Sequence, residues 1–181
     1  MHVRAIRSAL ATAFIVGSSF AALPTAHAAT VVNFDGLNAP NTFGATLALN
    51  HYANLTFAGT GGAANGGGVL NSGASFGVNG YSAPNFLAFN CNAHYNDGGI
   101  AKAPEKINLK GLKSGVSFTV GSNEPGAQVK ATGKGSGPAE VHTLALTPTL
   151  QTVTFSSAVK TITIAPVGVT CIFVVDDLTY S

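Results

Sequence analysis

Apolar and polar residues alternate with a period of two through much of the second half of the chain. Val116, Phe118 and Val120 alternate with Ser117 and Thr119. Val129 and Ala131 flank Lys130, Val153 and Phe155 alternate with Thr152 and Thr154, and Ile162 and Ile164 alternate with Thr161 and Thr163. A period of two sends successive side chains to opposite faces of an extended backbone, so each stretch predicts a half-buried strand. Valine, isoleucine, threonine and phenylalanine also suit a pleated surface. Turn-forming runs separate the strands: Gly121–Gly126, Gly133–Pro138, Thr147-Pro148 and Ser156-Ser157.

The first half is less regular. Val31–Phe34 predicts an opening strand, Ala53–Ala58 another with Leu55 and Phe57 inward, and Phe86–Phe89 a third. The glycine-rich run Gly59–Gly68 reads as a long loop, and Asn90–Pro104 is polar and rich in turn residues. Helix signals are almost absent. Short strands at this spacing predict an all-β sandwich or barrel.

The N-terminus follows a different pattern. Arg4 and Arg7 precede an apolar stretch from Ala9 to Ala22, then Pro24 and the small-residue site Ala26-His27-Ala28. This is the three-part signature of a secretory signal peptide. The apolar stretch is interrupted by Thr12, Gly17, Ser18 and Ser19, and it falls short of the ~20 residues that span a bilayer. The reading is a signal peptide over residues 1–28 and a single domain over 29–181, secreted or periplasmic, with no membrane insertion.

Export changes the charge balance. Both arginines lie in the leader, which leaves seven lysines against seven acidic residues. With no arginine fork and only scattered lysines, the domain offers no nucleic-acid footprint. Two cysteines remain, Cys91 and Cys171. A pair in an oxidising compartment reads as a disulfide, with two buried thiols as the alternative.

The few carboxylates stand at informative places. Asp35 follows the first strand in Phe34-Asp35-Gly36-Leu37, and Asp176 and Asp177 lie in the last one, Val175-Asp176-Asp177-Leu178-Thr179-Tyr180. Neighbouring strand residues point to opposite faces, so one of that pair faces burial. A buried carboxylate is costly unless it is paired or holds a metal, and a hard cation with oxygen ligands would resolve it. These two end motifs, with Leu150–Phe155 and Val159–Ile164, resemble exported bacterial jelly-roll domains of the galactose-binding-like and carbohydrate-binding-module type. The resemblance covers the first few mature residues and about the last forty. It implies an antiparallel β-sandwich of jelly-roll topology with its first and last strands side by side. It also implies a structural calcium near them, which nominates Asp35, Asp176 and Asp177 as ligands.

Other candidates come from residue chemistry. Sugar sites use an aromatic platform beside amide or carboxylate partners. Tryptophan is absent, which leaves Tyr52, Tyr81 and Tyr95, with Asn96 and Asp97 beside the last. His94, His51 and His142 lack metal-site spacing. Glu105, Glu124 and Glu140 read as solubilising residues at strand edges or turns. The sequence therefore points to a non-catalytic binding module for carbohydrate or another extracellular surface, stabilised by calcium. A self-associating matrix or adhesion component and a small secreted hydrolase or lyase are the alternatives. Oligomeric state is not legible.

Overall fold

The computed structural model describes residues 28–40, 46–47, 51–59, 67–71, 73, 76–90 and 101–181. The first strands are β1 (Thr30–Val32), β2 (Thr46–Leu47), β3 (Leu55–Gly59), β4 (Gly68–Asn71), β5 (Asn85–Asn90) and β6 (Ala101–Lys102). They are followed by β7 (Glu105–Lys113), β8 (Ser117–Gly121), β9 (Gln128–Lys134), β10 (Glu140–Ala145), β11 (Gln151–Thr154), β12 (Val159–Val167) and β13 (Ile172–Tyr180). No α-helix occurs among the described residues, and none there is long and apolar enough to cross a membrane.

Two sheets pack as a sandwich. The larger, eight-stranded sheet runs β11-β8-β13-β5-β4-β2, with β1 paired to β13 and β6 to β5. The five-stranded sheet runs β10-β9-β12-β7-β3. All pairings are antiparallel except the short β5–β6 contact. The first and last strands lie side by side, with Thr30 opposite Tyr180 and Val32 opposite Leu178.

The alternating stretches bury the faces the pattern assigns. Val116, Phe118, Val120, Val129, Ala131, Ile162 and Ile164 are fully enclosed between the sheets, with Val153 and Phe155 beside them. Leu55 and Phe57 of β3 and Leu87 and Phe89 of β5 join the same core. A smaller second core lies on the outer face of the larger sheet. There Leu70, Phe86, Ala88 and Val174 are covered by Phe76, Val78 and Tyr81. That outer cover explains why β5 and β13 read as continuous apolar runs rather than alternating ones.

Five strands were not legible as strands: β2, β4, β6, β7 and β10. β7 carries a correction. Glu105 is not a solubilising edge residue; it is 0 % exposed, because it shares the inward phase of Ile107 and Leu109.

Steric fit also fixes β9. Its inward residues shrink along the strand from Val129 through Ala131 to Gly133. A Cβ on Gly133 would come within 2.6 Å of the Phe155 ring. Gly133→Ala is therefore expected to destabilise the domain by about 1–3 kcal/mol through overpacking, read as a lower denaturant midpoint at unchanged m-value.

Candidate functional site

The site forms at the end of the larger sheet where β5 begins and β13 bulges. After β1, Phe34 takes a left-handed backbone (φ 61°) and starts a turn closed by the Leu37 N–H on the Phe34 carbonyl at 3.2 Å. This turn aims Asp35 at the start of β5. Asp35 Oδ1 accepts the Asn85 N–H at 3.0 Å, and Oδ2 accepts Asn33 Nδ2 at 2.6 Å. Asn85 is buried, and its Nδ2 donates to the carbonyls of Phe34 at 2.9 Å and Leu37 at 2.7 Å. Asn85 and Asp35 thus lock the turn and the strand together.

Asp176 reaches the same segment from the other side. Its Oδ2 accepts the Ser82 N–H at 2.7 Å and the Ser82 hydroxyl at 2.9 Å. It is 0 % exposed, and its Oδ1 is buried with no hydrogen-bond partner. Burial pushes its pKa up to about 7, against the pull of the nearby Asp177 and Ser82 groups and with a further push from the Asp177 charge. The Tyr52 hydroxyl is likewise buried without a partner. Burial raises its pKa, and the negative charges of Asp35 and then Asp176 add to the rise. Asp35, Asp176 and Tyr52 are therefore electrostatic neighbours.

Asp177 flanks this cluster. β13 shifts register between Asp176 and Thr179, and Asp177 adopts φ 49° with a half-exposed side chain. The bulge re-aims the second carboxylate while Leu178 and Tyr180 stay in the core. Ser82 and Asn85 are the residues that sequence reasoning missed. Asn85 had one signal: a short amide side chain directly before the apolar run Phe86–Phe89.

The proposed tyrosine platform is spread over the molecule. Tyr52 stands edge-on to Phe34 at 6.0 Å and to His51 at 4.9 Å, at the margin of the main core. Tyr81 packs edge-on to Phe86 at 5.3 Å on the opposite face of the larger sheet. The structure does not bring these two rings together. Tyr95, Asn96 and Asp97 lie outside the described residues, as does Cys91. Cys171 is not a free thiol, and its N–H donates to Glu124 Oε2 at 2.6 Å, beside that of Ile172 at 2.8 Å.

Chemically, the cluster offers an orphaned carboxylate oxygen and an orphaned hydroxyl, with a second carboxylate close by. Such a set can bind a water or a hard, oxygen-seeking cation. No group of three or more His, Cys, Asp or Glu side chains that could hold a metal occurs among the described residues, so carbonyl or water oxygens would have to complete any shell. The His142–Glu140 contact, at 2.9 Å, belongs to a turn clamp. Glu140 also accepts the N–H groups of Ser156 and Ser157 and the Ser156 hydroxyl, and these bonds pull its pKa down to about 2.

No protein-family model matches the chain. A search of curated proteins finds no match. Among solved structures the chain is similar to the K2 cleaved adhesin domain of Lys-gingipain (Kgp), with a TM-score of 0.54 and 13 % identity over 85 % of this chain and 99 % of that one. At this identity the likeness is one of fold: both are β-sandwich domains.

Proposed function

We propose that the chain is an exported, non-catalytic binding domain that attaches to carbohydrate or another extracellular surface. The observation that carries this reading is the shared sandwich with an adhesin domain, spanning nearly all of that domain. The leader-like segment over residues 1–28 supports export. A Cys91–Cys171 disulfide belongs to the same reading, and closing so long a loop would stabilise the domain by a few kcal/mol.

A calcium ion at the Asp35–Asp176 end completes the proposal. The buried, unpartnered Asp176 Oδ1 and Tyr52 hydroxyl support it. Bound there, the ion would neutralise Asp176 and tie the first turn to the last strand. Its role would be structural, holding the domain's ends so that the surface it presents keeps its shape.

A glycan array probed with the oxidised protein, with calcium and with chelator, tests the ligand class. Binding to a coherent set of glycans is the expected result. Loss with chelator would tie the cation to recognition, and persistence would leave it structural. Failure on the array and on immobilised extracellular-matrix proteins under both conditions would overturn the attachment reading.

A further inference from the structure

We propose that β10 is a docking edge and that its occupant is β10 of a second copy of this chain. β10 ends the five-stranded sheet and pairs only with β9 among the described residues. Its ladder runs in one register, from Glu140 opposite Gly133 to Ala145 opposite Gln128. Just past it, the Leu146 N–H bonds the Ala127 carbonyl. Bonded and open pairs alternate along an antiparallel ladder. The even-numbered residues of β10 therefore turn their backbone groups to β9, and Val141, Thr143 and Ala145 turn theirs outward.

An edge of open backbone groups is a template for another strand, and proteins blunt such edges with lysine, proline or a bulge. β10 has none of these. The side chains at its open positions are uncharged and exposed, Val141 by 50 %. The other edges are less suited. β2 and β6 have two residues each, β1 three and β11 four, and β3 leads directly into residues 60–66, outside the described part.

Self-complementarity selects the occupant. A two-fold dimer needs each open residue to face an open residue of the other copy. Centring the pair on Thr143 meets this condition. Thr143 faces Thr143 of the second copy, and Val141 faces Ala145. Threonine–threonine and aliphatic pairs are favourable across strands, and like charges opposite one another are not. In this register the acidic Glu140 falls opposite Leu146, so no like charges meet. The Ser156–Ser157 turn also holds its carboxylate at the strand's end. The two five-stranded sheets would join into one continuous sheet. This inference requires neither the cation nor a glycan, so it stands or falls apart from the attachment reading.

Sedimentation velocity on the oxidised protein from an exporting host tests it over roughly 1–500 µM, a range suited to a small interface. A concentration-dependent monomer–dimer equilibrium is expected. Thr143→Lys sets two ammonium groups face to face on the axis. Thr143→Pro removes one outward N–H while keeping every bond to β9, a placement that edge strands tolerate. Each change should weaken the dimer at least about tenfold, or about 1.4 kcal/mol. Thr154→Lys, on the β11 edge, should leave the dimer unchanged. A wild type that stays monomeric throughout, or a dimer equally strong in both Thr143 variants, would overturn the proposal.

Discussion

Glu105→Gln is expected to raise the melting temperature at pH 9 by on the order of 10 °C and to change it little at pH 4. Glu105 opens β7 on the inward phase and is fully enclosed. Neither carboxylate oxygen makes a hydrogen bond. The backbone amides of Gly67 and Ala58 approach and favour the charged form, but burial outweighs them and raises the pKa from 4.5 to about 8. The folded protein therefore holds this proton more tightly than the unfolded chain does. Stability falls as pH rises from 4.5 to about 8, and the loss is complete above that. At roughly 1.36 kcal/mol per pH unit, the gap corresponds to at most about 5 kcal/mol. Glutamine has the same shape and never ionises, so it removes the alkaline penalty and leaves the acid form nearly matched. Melting curves from pH 4 to 9 for both proteins check this. Curves that stay parallel across the range would show that Glu105 reaches water when charged.

The second large effect concerns Asp176 and depends on calcium. In chelator at pH 8, Asp176→Asn should equal or exceed the wild type, because it removes a buried, half-satisfied charge. In calcium at about a hundred times its dissociation constant, the wild type should gain about 2.7 kcal/mol and the variant almost none. The order of the two proteins would then reverse on adding calcium. For a domain of this size the gain corresponds to roughly 5–10 °C. If calcium moves neither melting curve, the Asp176 oxygen is satisfied by water and no cation is bound there. Asp177→Asn is the control: Asp177 is part-exposed, and its substitution leaves the buried, unpartnered Asp176 oxygen in place.

The sandwich was legible wherever one face is wet and the other dry. β8, β9, β11 and β12 each carry that alternation, and their inward residues sit where the period of two puts them. β10 was missed because an edge strand gains little burial on either face and so shows a weak pattern. β7 was missed for another reason. Ile107 and Leu109 alternate cleanly with Lys106, Asn108 and Lys110, and extending that phase by two places Glu105 inside. Read as a solubilising residue, Glu105 hides that phase, whereas its place in it marks a buried charge. The candidate site was half legible. Asp35 and Asp176 lie at opposite ends of the sequence, and only the resemblance of the terminal motifs linked them. Ser82 and Asn85, which join them, are ordinary polar residues whose role depends on how the chain closes on itself.

The pairing of β1 with β13 also decides how the domain carries load. Thr30 begins β1 and lies opposite Tyr180 near the end of β13. A pull applied through these two residues separates the strands from one end, and the ladder opens one bond at a time. The domain is thus mechanically soft when it is loaded through its first and last strands.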